Sequence, residues 1–363
     1  MRPPLALVHD YLTQRGGAER TVATWCAGWP AAPLYTSMYE PAATFPEFSR
    51  RPVEVSWLNR FGPLREHHRL ALPVLAPTFS RWRIDADVVL ASSSGWAHGV
   101  RTNGRLVVYC HAPARWLYQH ERYLRAGSLG ARAHLAQRAL SPALRRWDQH
   151  AAQRADTYVV NSTLTRDLVR DIYGIDAAIV APPVALAHVA APFEHRGDVL
   201  VVARLLPYKN VDVALAAAAR MPDVTFRVVG DGPLAQQLRN SATPNVTFVG
   251  AASDEQLFRE YAGCRVHLAL SHEDFGITPL EAAAAGRPTV ARSYGGFLDT
   301  ITPSTGLLLA DDDVSAITVA DALRAALATS WDETALRDQA ARFSPRAHLE
   351  RLGEIIGVAP LLQ

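Results

Sequence analysis

Along this chain, short runs of apolar and β-branched residues alternate with longer stretches whose apolar positions recur at helical spacing. Runs at 5–8, 88–92, 106–110, 157–161 and 178–181 are short and continuous, as strands buried on both faces would be, and helical patterns at 19–28 and 141–154 lie between them. A second set predicts strands at 199–203, 225–229, 246–249, 266–270 and 289–291, with helical stretches at 211–220, 234–240, 255–262 and 279–285. This alternation predicts an α/β chain with parallel sheets covered by helices. The two sets meet near Ala181-Pro182-Pro183, where consecutive prolines stop a strand. The division is therefore 1–185 and 186–344, followed by a helical segment at 345–363 with the option of crossing back to the first domain. Ligands of open α/β sheets bind beyond the carboxyl ends of the strands, so two facing sheets would form a cleft.

At 363 residues the chain exceeds what one core usually supports. Its apolar share of 49% and charged share of 20% are ordinary for a globular enzyme, and a net charge of +2 gives no case for nucleic acid. Cys26, Cys110 and Cys264 stand apart, without CxxC or zinc spacing, which implies neither a disulfide framework nor a structural metal. The opening MRPPLALVHDYL turns polar too soon for a signal peptide, and no run of about 18 apolar residues occurs, so the expected location is cytoplasmic. Between Arg115 and Arg154 lie Arg122, Arg125, Arg132, Arg138, Arg145 and Arg146, against only Glu121 and Asp148. That segment reads either as a solvated helical face or as a peripheral contact with an anionic inner-membrane surface or an acceptor.

Five segments carry candidate chemistry. Glu273-Asp274-Phe275-Gly276-Ile277-Thr278-Pro279-Leu280-Glu281 reads as a loop opening a helix, with Thr278 at the N-cap, Pro279 at the first helical position and Glu281 at the third. Backbone N–H groups from Phe275 onward would face an anion, and Gly276 would allow close approach. A capping box between Thr278 and Glu281 explains the second glutamate equally well. In Ala203-Arg204-Leu205-Leu206-Pro207-Tyr208-Lys209-Asn210, two cations on a turn after a strand can reach one diphosphate, or can simply be exposed. Arg15-Gly16-Gly17-Ala18-Glu19 suits phosphate or sugar approach, or a tight turn, and lacks the GxGxxG spacing. His111, in Tyr109-Cys110-His111-Ala112-Pro113, follows a strand and is a ligand contact or a structural histidine. Val228-Val229-Gly230-Asp231-Gly232-Pro233 is a glycine-rich turn.

In order and spacing, these segments resemble the retaining glycosyltransferases of family 4, from Leu5-Ala6-Leu7-Val8-His9-Asp10-Tyr11-Leu12 to about Gly306. Within that family they look closest to bacterial O-antigen-type mannosyltransferases. The resemblance implies the GT-B fold, an α/β arrangement of two Rossmann-like domains facing each other across a cleft. It also implies a nucleotide-sugar donor, GDP-mannose or a UDP-sugar. Arg204 and Lys209 match the basic pair that neutralises the donor diphosphate, and Glu281 matches a glutamate on the nucleotide ribose. Glu273 and His111 match residues beside the transferred sugar, with Asp274, Phe275, Gly276 and Ile277 lining the donor. Gly16 and Gly17 match a loop covering the diphosphate, while Gly230, Val249 and Gly250 would flank base and diphosphate. Where the family often has Met-Arg-Tyr, this chain has Ala114-Arg115-Trp116, which bears on acceptor or sugar choice.

No cofactor or metal is required in this reading, because cations and backbone amides take the metal's role. Asp85-Ala86-Asp87 spells a DxD triplet but precedes its strand, and Asp311-Asp312-Asp313 reads as a solvated turn. The acceptor is open among glycan, lipid-linked, natural-product and peptide hydroxyls. His67-His68-Arg69 and 70–79 form an apolar and basic segment that suits one, or a packed loop. The rival readings are a nucleotide-sugar epimerase or hydrolase, a nicotinamide- or flavin-dependent oxidoreductase, for which the fingerprint is missing, and a non-catalytic membrane-associated module.

Overall fold

The computed structural model describes residues 2–66, 71–118, 131–184 and 196–362. The chain forms two compact units, one of 1–183 together with 345–363, the other of 184–344. In the first unit the strands are β1 (Leu5–His9), β2 (Leu34–Thr36), β3 (Val53–Val55), β4 (Val88–Ser93), β5 (Arg105–Cys110), β6 (Thr157–Val160) and β7 (Ala178–Ile179). They make one parallel sheet in the order β3-β2-β1-β4-β5-β6-β7. The second unit holds β8 (Val199–Val202), β9 (Phe226–Val229), β10 (Val246–Gly250), β11 (Val266–Ala269), β12 (Thr289–Arg292) and β13 (Gly306–Leu309), parallel in the order β10-β9-β8-β11-β12-β13. Each sheet thus reverses its winding once, between β1 and β4 and between β8 and β11.

Strand residues alternate between two cores. On one face of the first sheet Ala6, Val8, Val89, Ala91, Leu106 and Val108 join Leu75, Phe79 and Trp96. On the other, Leu5, Leu7, Leu90, Val107, Tyr109 and Val159 meet Trp25 of helix Gly17–Gly28 and Leu349, Leu352 and Ile356 of helix Pro345–Ile356. Both faces are buried, so the strands read as continuous apolar runs without alternation.

The last helix belongs to the first unit for a chemical reason as well. His348 donates from Nδ1 to the Ala181 carbonyl at 2.7 Å and accepts the Trp25 indole N–H at Nε2 at 2.8 Å. This consumes both ring nitrogens of one neutral tautomer, and burial pushes the group down to about 4. Leu349 fills the space a side chain at Gly28 would need, 2.7 Å from the nearest Leu349 carbon.

Three strands lie outside the sequence expectation. β2 and β3 have three residues each, and β13 begins at a glycine, so none offers a long apolar run. Parallel pairing with β1, β2 and β12 respectively makes them strands. The segments 67–70 and 119–130 lie outside the described residues, and with them His67-His68-Arg69, Glu121, Arg122 and Arg125; the side chains of Arg132 and Arg138 are not described either. Of the remaining arginine-rich stretch, Arg145 donates to the Leu117 carbonyl at 2.7 Å. Asp148 is no surface charge: it is buried and accepts hydroxyl bonds from Tyr118 and Tyr173, both at 2.8 Å. No described helix is long and apolar enough to cross a membrane.

Candidate active site

In open α/β sheets the ligand crevice forms where the winding reverses, because neighbouring loops there leave in opposite directions. The reversal in the second unit lies between β8 and β11, so its lining is Ala203–Asn210 and 270–277. Ala203 and Leu205 anchor the first loop, donating their backbone N–H groups to the carbonyls of Val229 at 3.0 Å and Asp231 at 2.9 Å. Gly230, at φ +132°, is obligatory there: a Cβ would stand 1.9 Å from the Ala203 carbonyl oxygen. Its N–H donates to the carbonyl of Gly250 at 2.8 Å, and Gly250 turns out of β10 at φ +84°. Val249 packs against the apolar cluster that contains Leu200, Val229 and Tyr261.

Lys209 ends the short 3-10 turn Pro207–Lys209, and the chain then passes through Asn210 at φ 53°, the one left-handed non-glycine among the described residues. Asn210 tolerates this conformation, and its Nδ2 donates to the Leu270 carbonyl at 2.9 Å, tying the loop after β8 to the loop after β11. Through that tie Lys209 Nζ donates to Glu273 Oε1, which also accepts the Ser271 hydroxyl at 3.1 Å. Arg204 is exposed, with no acidic partner among the described residues.

The loop after β11 departs from its sequence reading in one respect. Helix Thr278–Ala284 starts one residue early, Ile277 is its N-cap, and no side chain caps it. Thr278 is thus not the N-cap, and the capping-box alternative for Glu281 does not form. Glu281 turns elsewhere, with Oε2 accepting the buried Tyr261 hydroxyl at 2.8 Å. Burial, with the neighbouring Glu281 adding to it, holds that phenol well above its ordinary range. Gly276 has a structural need of its own, since it sits at φ +76° with a Phe297 ring carbon 2.2 Å from where a Cβ would be. The Phe275 side chain points into the unit against Phe343, leaving its backbone to the loop, and Asp274 is buried. Among the described residues the N–H groups of Phe275, Gly276 and Ile277 have no hydrogen-bond acceptor.

A neighbouring cluster escaped sequence reasoning. His272 stacks edge-on with Tyr294, Arg292 Nη1 contacts the His272 ring, and both reach Asp311 at 3.3–3.4 Å. Asp311 is thus an ion-pair partner and not simply a solvated turn residue. The signal was separated over 40 positions and visible only as a polar residue at each strand end. Asp85 and Asp87 of the DxD triplet each stand 3.3 Å from Arg2 Nε.

In the first unit the reversal lies between β1 and β4. Gly16 is the N-cap of helix Gly17–Gly28, and Glu19 folds under it in the first helical turn. A Cβ at Gly16 would stand 2.6 Å from Glu19 Oε2, whereas Gly17 has nothing within 4 Å. His111, at the end of β5, contacts Ser92 Oγ through Nε2 at 2.8 Å, and Asn161 Nδ2 holds its carbonyl at 2.8 Å. Burial of the ring, with smaller contributions from His9, His348 and Arg115, pushes His111 down to about 3. Its imidazole is therefore neutral at physiological pH and cannot act as a general acid from the charged form.

Asp10 was not singled out as a functional residue by the sequence, yet it binds this corner together. Its two carboxylate oxygens accept the backbone N–H groups of Ser94 at 2.7 Å and Ala97 at 2.6 Å. Burial raises its pKa, opposed by His9 and those two N–H groups.

Comparison with known proteins adds to this geometry. A family model described as Glycosyltransferase Family 4 matches residues 15–187, and one described as Glycosyl transferases group 1 matches 196–329. The chain is 33% identical over 264 residues to a GDP-mannose-dependent alpha-mannosyltransferase of Mycobacterium tuberculosis (strain CDC 1551 / Oshkosh), covering 66% of this chain and 65% of that protein. It is 31% identical over 196 residues to a D-inositol 3-phosphate glycosyltransferase of Mycobacterium sp. (strain KMS), covering 46% of this chain and 44% of that protein. The matches thus span about half to two-thirds of these relatives' lengths. Among solved structures, HepE of Anabaena in complex with UDP and glucose superposes at a TM-score of 0.69 with 18% identity, covering 98% of this chain and 100% of that one. The apo lipopolysaccharide outer core galactosyltransferase WaaB gives 0.67 with 17% identity, covering 97% and 99%.

Proposed function

The chain belongs to family 4 of the glycosyltransferases and has the GT-B fold, and on that premise we propose that it moves a hexosyl group from a nucleotide-diphosphate donor to an acceptor hydroxyl with retention of anomeric configuration. GDP-mannose is the donor of first choice, since several of the relatives are GDP-mannose-dependent mannosyltransferases. The observation that carries the proposal is the meeting of the loops after β8 and β11 where the sheet reverses, with Lys209 paired to Glu273 and Arg204 exposed beside them in sequence.

Breaking the bond between the anomeric carbon and the donor's terminal phosphate oxygen leaves an extra negative charge on that phosphate. A lysine and an arginine on one turn, with the N–H groups of Phe275, Gly276 and Ile277 in the loop after β11, would stabilise that charge more strongly than the ground state. Lys209 is held by Glu273 before the donor arrives, so it enters the reaction already oriented. In front-face transfer the leaving phosphate oxygen takes the acceptor's proton while the acceptor oxygen bonds to the anomeric carbon, and no protein nucleophile is needed. Glu281, fixed by Tyr261, fits a contact to a ribose diol, and Gly16, Gly17, Gly230, Val249 and Gly250 fit main-chain or close contacts to the donor.

No metal is needed in this scheme, because the cations and amides supply the electrostatic work. Incubation with GDP- and UDP-sugars, with thermal shift reporting binding and product release reporting turnover, tests the assignment. Transfer from GDP-mannose that survives EDTA is the expected result. Donor consumption without acceptor would favour an epimerase or hydrolase, and loss of activity restored by manganese would overturn the metal-free mechanism.

A further inference from the structure

On the flank of the first unit, three arginines line one cavity near the amino ends of its strands. Arg81 ends helix Leu72–Arg81, Arg83 follows on the way into β4, and Arg101 lies between the 3-10 turn Ala97–Gly99 and β5. Arg83 and Arg101 are the paired residues of an isolated parallel bridge. The Arg101 N–H donates to the Trp82 carbonyl and the Ile84 N–H to the Arg101 carbonyl, both at 2.9 Å. With Pro77 and Ser80, the three arginines line a cavity of about 440 Å³, a size that suits a small molecule. Ligands of open α/β sheets sit at the other end of the strands, so this cavity is not part of the crevice at the sheet reversal.

Neighbouring guanidiniums repel, and like charges on directly paired strand residues are destabilising. Among the described residues nothing answers them: Arg81, Arg83 and Arg101 make no ion pair and no side-chain hydrogen bond. Asp85 and Asp87, the nearest acids in sequence, both pair with Arg2. Glu54 stands beside Tyr35 and lines no part of the cavity. The carbonyl end of a helix favours one cation, which accounts for Arg81 but not for the other two. Their field reaches inward as well. Arg154, whose Nη2 donates to the Gly99 carbonyl at 2.9 Å, is held below its ordinary range by burial, with Arg101 adding to it. Ser80 Oγ accepts the Trp147 indole N–H at 2.6 Å, and its own hydroxyl proton has no acceptor among the described residues.

We propose that Arg81, Arg83 and Arg101, with the Ser80 hydroxyl, form a binding site for a phosphate group, separate from the donor loops of the second unit. Guanidinium forks match phosphate oxygens two at a time, and the hydroxyl adds one more donor, so this lining suits an acceptor-only anion. The charge of a phosphate would offset the repulsion among the three arginines. A second cavity, of about 500 Å³, shares Pro77 and Arg81 with the first and is lined also by Val55, Trp57, Val74 and Trp82. Trp57 and Phe61 beside it are 53% and 49% exposed and pack edge-on with ring centroids 5.8 Å apart. The same phosphate chemistry comes free in solution or on a lipid headgroup, whose apolar part would meet these aromatic rings. The site does not depend on the function proposed above.

Modification of arginines by phenylglyoxal on the full chain, mapped by mass spectrometry, reads each guanidinium separately, so Arg204 of the donor loop is scored apart from this site. The probes are inorganic phosphate, phosphatidylglycerol vesicles and phosphatidylcholine vesicles. Phosphate or phosphatidylglycerol should slow modification of Arg81, Arg83 and Arg101 several-fold, with Arg50 and Arg220, exposed elsewhere, unchanged. Protection by inorganic phosphate shows that the free group suffices, and protection by phosphatidylglycerol alone assigns the site to headgroups. Absence of protection by every probe would overturn the proposal, as would equal protection of Arg50 and Arg220. Equal protection by both vesicles with none by inorganic phosphate would also overturn it, since apolar contact and not the anion would then be at work. Arg83→Ala should weaken protection at Arg81 and Arg101 several-fold without lowering the melting temperature, because it removes a like charge and leaves the backbone bridge in place. Arg101→Ala should do the same at Arg81 and Arg83. Protection unchanged in both variants would count against the site, and so would a marked fall in melting temperature, which would make these arginines packing residues.

Discussion

At their sheet reversals the two units treat polar residues in opposite ways. In the first, His9, Asp10, Glu19 and Ser92 are each 2% exposed or less and their groups mostly bond one another or the main chain. In the second, the side chains of Lys209 and Glu273 keep 13% and 25% of their surface and Arg204 is exposed. Buried polar groups that satisfy one another rigidify a corner, whereas charges left at the rim remain available to a charged ligand. On the function proposed above, the first corner would be scaffold and the second would capture the donor's anion, and this contrast can be broken experimentally.

Lys209→Ala is the most severe test. It should lower kcat by roughly 100- to 1000-fold, as loss of one preorganised electrostatic donor does, while the melting temperature moves little. Wild-type turnover in this variant would end the electrostatic account. Asp10→Ala should show the reverse pattern. It strands two buried N–H groups, at Ser94 and Ala97, and should cost roughly 3 kcal/mol in urea unfolding, read as a lower midpoint at unchanged slope. A midpoint equal to wild type would mean that this corner is not the scaffold described.

Gly230→Ala lies between the two, because it places a methyl group against the Ala203 carbonyl at an unfavourable φ. Its expected signature is a displaced loop after β8, with weaker donor binding in calorimetry and a modest loss of stability. A fourth test is the pH response. His111 and His348 are held neutral, at about 3 and about 4, by burial in the first unit, and His267, pushed down to about 3, does the same in the second. Unfolded histidines take up protons below about pH 6.5, so their contribution to stability is full above that pH. It should fall steadily as pH drops from about 6.5 toward 4, and scanning calorimetry across that window should show both units losing stability. A melting temperature that rose on acidification would contradict the neutral assignment.

Much of this frame was legible along the chain. Buried parallel strands announce themselves as apolar runs because both faces are covered, which is why β1, β4, β5, β8, β9 and β11 were found where they lie. The loops bearing Arg204, Lys209 and Glu273 were legible for a related reason: cations, glycines and a proline punctuate the chain where strands end. By contrast β2, β3 and β13 were missed because three or four residues carry no periodicity, and pairing decides them. Thr278 was misplaced as the N-cap, which is Ile277, and the alternative of a capping box with Glu281 falls with it, Glu281 accepting instead from Tyr261, twenty residues away in sequence.

The order of the sequence determined which segments are strands, which are helices, and which residue types stand at strand ends, since these depend on neighbours a few positions apart. Only the tertiary structure decided that Lys209 reaches Glu273, that Asp311 answers Arg292 and His272, and that His9 and His111 share the hydroxyl of Ser92. Those pairings join residues 19 to 83 positions apart, held by sheet order and by single ties such as Asn210 to Leu270. Contacts of that range depend on which strands lie side by side, and strand order is settled by packing the whole sheet, not by any local pattern.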